Sequence, residues 1–181
     1  MVQITRFLTV LSVAAAGLAL TVKRDAATVE ADIAKISTQV TTLDNAIEAY
    51  PLTGGTLLNA LTIHTDATTL ITTLNGAVTD VTATSQLSEA DGRTILSSVE
   101  AIEPTILDAL TNIVVKKPAF AALPIGGLPA LILQDLKNLK TATVAFANGL
   151  VSIAPADLVA EATQLSSNIT AAFDPAIAAY S

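Results

Sequence analysis

The sequence predicts an all-α protein, an antiparallel bundle of about five amphipathic helices. Beyond residue 24, apolar residues recur at spacings of three and four along almost the whole chain, which is the period of one helix face. Proline and glycine cluster at a few positions between these stretches, where they predict turns. Strands would instead require apolar and polar residues to alternate. Short turns between long helices favour antiparallel packing of consecutive helices.

The first 24 residues are interpreted as a secretory signal peptide with a short processing segment. Arg6 precedes an apolar run over 7–20, and Lys23 with Arg24 forms a dibasic processing site. The run is shorter than the ~20 apolar residues that span a bilayer, so we expect no integral membrane segment in the mature chain. Residues 25–181 are long enough for one helical-bundle domain of a secreted protein.

Charge and composition exclude several classes of function. Three of the nine basic residues precede residue 25, so the mature chain carries six basic and sixteen acidic residues, a formal net charge of −10. This charge argues against binding to nucleic acid or to anionic membranes. The chain has no cysteine, which excludes disulfides and thiolate metal sites. Its stability must therefore come from burial of the apolar helix faces.

The first predicted helix precedes Tyr50-Pro51 and Gly54-Gly55. The residue before a proline is disfavoured in a helix, and the glycines permit a turn. The apolar stripe of this helix consists of Val29, Ile33, Ile36, Val40, Leu43 and Ile47.

The second predicted helix runs over 56–81 and is rich in threonine, a weak helix former, so packing must hold it helical. Its expected apolar stripe consists of Leu57, Leu61, His64, Ile71, Leu74, Val78 and Val81.

The third predicted helix opens at Ser88, an N-cap residue followed by acidic residues in the first turn. Its stripe consists of Ile95, Val99, Ile102, Ile106, Leu110 and Ile113. We expect the helix to break near Lys117, because two prolines and two glycines follow before Pro129. The apolar residues in this break predict a loop packed onto the bundle; they are Phe120, Leu123, Ile125 and Leu128.

Pro129 suits the first turn of a fourth helix, and Pro155 separates that helix from a fifth. The fourth stripe consists of Ile132, Leu136, Leu139, Thr143, Phe146, Leu150 and Ile153. The fifth consists of Leu158, Ala162, Leu165, Ile169, Phe173 and Ile177, with Tyr180 near its end.

Few residues are candidates for chemistry. His64 is the only histidine, so a metal site would lack a second imidazole, and a Ser-His-Asp triad would have to form on a helix without a nucleophile elbow. The sequence therefore predicts no catalytic residue, no metal and no cofactor. Close to the stripe of helix two, His64 either meets a ligand carboxylate or gates binding by pH, or it has a structural role, in which it caps a backbone carbonyl or lies at the solvent-exposed margin of the stripe. Asn168 lies in an Asn-Ile-Thr acceptor sequence for N-glycosylation.

Three segments carry a resemblance to a known family: 116–120 (Lys-Lys-Pro-Ala-Phe), 133–137 (Leu-Gln-Asp-Leu-Lys), and Phe173 through Ile177 to Tyr180. The chain resembles the fungal hydrophobic surface-binding protein A family, whose domain is shared with fungal cell wall galactomannoproteins. The resemblance implies a secreted or cell-wall-associated helical domain and no reaction. It also implies binding to hydrophobic surfaces, recruitment of a polyester-degrading hydrolase, or the holding of fatty acids inside the bundle.

Two principal functions follow, and a third is compatible with both. Helices rich in small residues favour a carrier with an elongated cavity for a fatty acid or a similar apolar ligand. The expected contacts are His64, Leu61, Ile71, Phe120, Leu136, Phe146, Ala162 and Leu165. Alternatively, the helix faces and the apolar loop around Phe120 adhere to hydrophobic surfaces and recruit a secreted hydrolase. A structural cell wall mannoprotein fits the secretion signal equally well.

Overall fold

The computed structural model describes residues 25–124 and 126–181, and it is all-α, as the sequence predicts. The expected signal peptide over 1–24 and Ile125 of the expected loop lie outside the described residues. The five helices within the described ranges are α1 (Ala26–Ala49), α2 (Leu57–Ala83), α3 (Glu89–Ala121), α4 (Leu128–Ile153) and α5 (Val159–Tyr180).

Local sequence explains where most of these helices begin. Three N-cap side chains accept a hydrogen bond from the backbone N–H three residues later, which satisfies a donor that has no partner inside the helix. These N-caps are Asp25, Thr56 and Ser88. α4 instead follows Gly127, whose φ of 94° favours glycine, and has Pro129 in its first turn. The predicted N-cap at Ser88 and the predicted role of Pro129 are confirmed.

The five helices form a closed ring. α1 packs against α2 and α3, α4 packs against α2 and α5, and α3 closes the ring against α5. Five helices whose neighbours lie about 8–10 Å apart cannot all touch at the centre, so side chains must fill the axis of the ring. The fold thus places an elongated apolar interior along the axis of the ring, lined by side chains of all five helices.

Consecutive helices run antiparallel, but several neighbours in the ring run parallel. The last three turns of α3 contact the last turns of α1 and α5, and residues near the start of α2 and of α4 form a hydrogen bond. One end of the bundle therefore holds the ends of α1, α3 and α5 and the starts of α2 and α4. We call it the Tyr50 end, and we call the opposite end, where α5 begins, the Pro155 end.

Two adjacent lysines connect three helices at the Tyr50 end. Lys116 Nζ donates to the carbonyl oxygens of Glu48, at 2.9 Å, and Tyr50. Lys117 Nζ donates to the carbonyl oxygen of Ala179. A cation at a helix C-terminus satisfies free carbonyls and opposes the negative end of the helix dipole. The Lys-Lys segment that carries the family resemblance thus has a structural role in closing the ring.

The core face of α2 differs from the predicted stripe. Leu57 and Leu61 are 39% and 41% exposed, and Ile71 and Val78 are only partly buried. The apolar residues that α2 buries are Ala60, Ile63, Ala67, Leu70, Leu74, Ala77 and Val81. Alanines let α2 approach its neighbours closely, but they carry little hydrophobicity. The prediction is confirmed at Leu74 and Val81, but at Leu57 and Leu61 it is rotated away from the alanine-containing face, because it followed the larger side chains.

The predicted apolar loop is shorter than expected, because α3 continues through Pro118 to Ala121. Phe120 is 0% exposed and its ring lies 4.2 Å from that of Tyr50, centroid to centroid. This buried contact holds the last turn of α3 in place although Pro118 cannot donate a backbone hydrogen bond. The expectation that Phe120 lies on an adhesive surface loop is wrong.

Candidate functional site

Among the described residues, three apolar cavities lie along the axis of the ring. A central cavity of about 100 Å³ is lined by residues from all five helices, among them Ile36, Leu70, Ile102, Phe146 and Phe173. A second cavity, of about 50 Å³, lies at the Pro155 end between α3, α4 and α5. A third, also of about 50 Å³, lies at the Tyr50 end between α1, α2, α3 and α4.

These cavities form one row, because neighbouring cavities share wall residues. Ala147 and Ile169 line both the central cavity and the one at the Pro155 end. Leu43 and Ala109 line both the central cavity and the one at the Tyr50 end. We call the three together the cavity row. It extends from the Pro155 end to the Tyr50 end of the bundle.

Four of the predicted ligand contacts line the cavity row. Phe146 lines the central cavity, Leu136 lines the cavity at the Tyr50 end, and Ala162 and Leu165 line the one at the Pro155 end. Their helical stripes predicted an inward orientation, and the structure places them accordingly. Their contact with a ligand stays a prediction.

Three other predicted contacts lie away from the cavity row. Phe120 is completely buried against Tyr50, and Leu61 is 41% exposed on the outer surface of α2. Ile71 is partly buried and packs against the core without lining the row. The rotated face of α2 accounts for Leu61 and Ile71.

His64 forms a polar pair with Asp135 at the Tyr50 end. His64 Nδ1 lies 2.8 Å from Asp135 Oδ2, which joins α2 to α4. The Asp135 side chain is 10% exposed and that of His64 is 32% exposed, so the pair extends from the cavity wall towards solvent. Nδ1 of His64 thus pairs with a carboxylate and not with a backbone carbonyl, and the half-exposed ring lies at the solvent-exposed margin of the helix face, as one of the interpretations expected.

Burial dominates the electrostatics of Asp135. Loss of water raises the pKa of its carboxyl group above the ordinary value of 3.8, and the hydrogen bond and charge of His64 lower it in part. Sequence reasoning did not single out Asp135 as a site residue. A signal was present, since Asp135 lies three residues after Ile132 and four before Leu139, on the apolar stripe of α4.

Other features of the described chain bear on the remaining predictions. Asn168 is exposed on α5, where its side chain accepts a hydrogen bond from Gln164 at 2.9 Å, and its glycosylation stays a prediction. Within residues 25–124 and 126–181, no three histidine, aspartate or glutamate side chains are placed to bind a metal ion. None of the helices in these ranges has the length and hydropathy that crossing a membrane requires.

Comparison with known proteins identifies relatives of this chain. Residues 26–152 match the family model of hydrophobic surface binding protein A. The chain is 30% identical over 148 residues to cell wall mannoprotein 1 of Aspergillus fumigatus, covering 82% of this chain and 49% of that protein. It is 26% identical over 178 residues to cell wall mannoprotein 1 of Aspergillus flavus, covering 97% and 62%. The chain thus spans between about half and two thirds of these mannoproteins.

Two solved structures share the fold. The crystal structure of AFMP4P in complex with palmitic acid is similar with a TM-score of 0.80 and 32% sequence identity, covering 87% of this chain and all of that one. Ligand binding domain 1 of the Penicillium marneffei MP1 protein, complexed with arachidonic acids, is similar with a TM-score of 0.77 and 22% identity. That alignment covers 86% of this chain and 99% of the domain. The ring of five helices is thus an established fold.

Proposed function

Because the chain belongs to the hydrophobic surface binding protein A family, we propose that it is a secreted, non-enzymatic protein that holds one fatty acid or similar single-chain lipid along the axis of the ring. The observation that carries the proposal is the cavity row, to which all five helices contribute apolar side chains. The palmitic acid complex of AFMP4P, the structure with 32% identity, supports a fatty acid as the ligand class.

The cavity row must widen to take such a ligand. Its largest cavity is about 100 Å³, whereas sites for small molecules usually measure about 300–1,000 Å³. Each helix satisfies its own backbone hydrogen bonds, so widening the ring costs packing contacts and few hydrogen bonds. A sixteen-carbon chain buries ~14 methylenes worth about 11 kcal/mol in total, against an association cost of roughly 4–15 kcal/mol. The ease of widening therefore determines the affinity.

Filling the cavity row tests the proposal. Ala147 lines two of the three cavities, so we expect Ala147→Phe to lower the affinity for palmitate at least about tenfold, because the ring occupies space that the acyl chain needs. Ala162→Phe should shorten the row from the Pro155 end and weaken palmitate more than a ten-carbon acid. Affinity is measured by displacement of a fluorescent lipid, and folding by circular dichroism.

The matched control is Ala145→Phe, the same substitution at an exposed position of α4. It should leave the palmitate affinity unchanged. Folded Ala147→Phe protein that binds palmitate as tightly as the unmodified chain would contradict an axial site.

Adhesion to hydrophobic surfaces is a second candidate function, and exposed leucines favour it. Four of them follow one another in the α1–α2 connection and the first turns of α2: Leu52 (60% exposed), Leu57 (39%), Leu58 (74%) and Leu61 (41%). We call them the leucine patch. An exposed group of large apolar side chains is typical of interaction surfaces. We therefore propose the leucine patch, in place of the loop around Phe120, as the adhesive surface. Through this patch the protein would bind a solid apolar substrate and recruit a polyester hydrolase to it.

We expect Leu58→Glu combined with Leu61→Glu to reduce adsorption to polystyrene beads severalfold, because charge on the patch must be desolvated on the surface. The palmitate affinity should stay the same, since neither residue lines the cavity row. Val115→Glu, at a 52% exposed position of α3, is the control for added charge. Equal losses of adsorption in both variants would exclude a specific role of the leucine patch.

A further inference from the structure

A fourth apolar cavity lies between α3 and α5, on the outer surface of the ring. It is a groove of about 500 Å³, within the range of about 300–1,000 Å³ that is usual for small-molecule sites. We call it the α3–α5 groove. Among its lining residues, Leu107 and Val115 of α3 and Pro175 of α5 are exposed, so the groove opens to solvent. None of the described residues that line it is charged, and its surface therefore suits an alkyl chain.

Leu110 separates this groove from the cavity row. It lines the groove, the central cavity and the cavity at the Tyr50 end. Among the described residues, it is the one that the groove and the cavity row have in common. Leu110 is itself buried. A single leucine thus stands between an apolar surface that is open to solvent and the interior of the ring.

Polar contacts connect α3 to the α5 region on both sides of Leu110. Towards the Tyr50 end, the Tyr180 hydroxyl donates to the carbonyl oxygen of Ile113 at 2.7 Å. At the Pro155 end, Arg93 Nη2 lies 3.3 Å from Oδ2 of Asp157, just before α5 begins. The stretch between these contacts is lined mainly by apolar side chains. The two ends can therefore stay connected while α3 and α5 separate slightly at the groove.

Both helices of the groove contain internal prolines. α3 contains Pro104 and Pro118, and α5 contains Pro175. A proline cannot donate a hydrogen bond to the carbonyl oxygen four residues earlier, so the helix bends more readily at that point. α1 and α2 contain no proline, and the one proline of α4 lies in its first turn. The ring must widen to take a lipid, and α3 with α5 is the neighbouring pair that bends most readily.

We propose that the α3–α5 groove is the entrance of the cavity row: an acyl chain binds first in the groove and then passes Leu110, which acts as the gate. A leucine side chain can change rotamer while the backbone hydrogen bonds of its helix stay intact. This inference rests on the proposed lipid-binding function and deepens it, because it names the site of entry and the residue that limits the exchange of the lipid.

The experiment uses Thr111→Cys, treated with a methanethiosulfonate reagent that attaches a sulfonatoethyl group. The natural chain has no cysteine, so this exposed position of the groove is the one modified. A hydrated sulfonate there opposes the passage of an acyl chain in both directions. The association and dissociation rate constants of cis-parinaric acid, a fluorescent fatty acid, are measured by stopped flow.

A gate changes the barrier between the free and the bound state, so the two rate constants change by the same factor. We expect both to fall at least about fivefold in modified Thr111→Cys, while the equilibrium dissociation constant changes by less than about twofold. Reduction of the new disulfide should restore both rates.

Thr141→Cys with the same modification is the matched control. Thr141 is exposed on α4, and its hydroxyl donates to the carbonyl oxygen four residues earlier at 2.9 Å, as that of Thr111 does at 2.8 Å. It lines neither the groove nor the cavity row. Both rate constants should equal those of the unmodified chain.

Leu110→Ala tests the gate in the opposite direction. We expect it to raise both rate constants at least about threefold, because the passage from the groove stays open. Leu139→Ala is its control, since Leu139 is also buried and lines the same two cavities from α4 without lining the groove. Both variants enlarge the cavity row by the same chemical group, so the difference between them reports the gate. Circular dichroism verifies folding, and modified Thr111→Cys tests the entrance without changing the core.

The outcomes separate this inference from the proposed function. Equal rate constants in modified Thr111→Cys and modified Thr141→Cys would overturn the entrance, and lipid binding would stand with entry at another place in the ring. Faster dissociation from modified Thr111→Cys would make the groove the final binding site and would also overturn the gate. If cis-parinaric acid does not bind to the unmodified chain, the proposed function fails and the entrance fails with it.

Discussion

Replacing Ile36 by aspartate is expected to lower the free energy of unfolding by about 4 kcal/mol or more. Ile36 is 6% exposed on α1 and lines the central cavity, whose described lining residues include no cation that could pair with a new carboxylate. Domains of this size are stable by about 5–15 kcal/mol, so the change removes a large part of the total. Urea denaturation measures the loss directly. The melting temperature should fall by roughly 2–4 °C for each kcal/mol.

Lys35→Asp is the control on the same turn of the same helix. Lys35 is exposed, so the substitution should change the stability by no more than about 0.5 kcal/mol. Similar losses for Lys35→Asp and Ile36→Asp would show that the buried face of α1 is not the one that lines the ring.

Phe120→Ala is the second large effect, with an expected loss of about 3–5 kcal/mol. The Phe120 side chain is fully buried, and it packs on Tyr50 at the point where Lys116 connects α3 to the end of α1. Removing the ring leaves a cavity and weakens the closure of the helix ring at the Tyr50 end. The loss is measured by urea denaturation followed by circular dichroism, because the chain contains no tryptophan whose fluorescence could report unfolding.

Val115→Ala removes apolar surface from a nearby, 52% exposed position of α3 and should cost less than about 0.5 kcal/mol. If Phe120→Ala were as mild as this control and also reduced adsorption to polystyrene, Phe120 would behave as the exposed adhesive residue that the sequence predicted. The contact with Tyr50 argues for the opposite result.

Sequence periodicity predicted most helix faces because large apolar side chains dominate them. All six residues of the α1 stripe are buried. The prediction failed on the first half of α2, where alanines face the neighbouring helices and Leu57 and Leu61 face solvent. It also failed at the end of α3, where Pro118 is a local signal to stop and the burial of Phe120 outweighs it. In both places packing against distant residues overrides a local preference.

The candidate site was only partly predictable for the same reason. Inward-facing residues such as Phe146 and Leu165 follow from the stripes of single helices. His64 was recognised as unusual, but its partner was not, because Asp135 is 71 residues away and on another helix. A hydrogen bond between two helices depends on which helices are neighbours, and no local pattern carries that information.

Local sequence therefore decides where the helices form, through N-caps such as Ser88, breaks such as Pro155 and the apolar stripes between them. Short connections also make consecutive helices antiparallel. The order of the helices around the ring is a property of tertiary packing, because α2 packs against α4 and α3 against α5 across long separations in the chain. That order creates the axial cavities and brings His64 to Asp135. The shape of the interior depends on how the buried faces of all five helices pack together, and the sequence of one helix does not specify that packing.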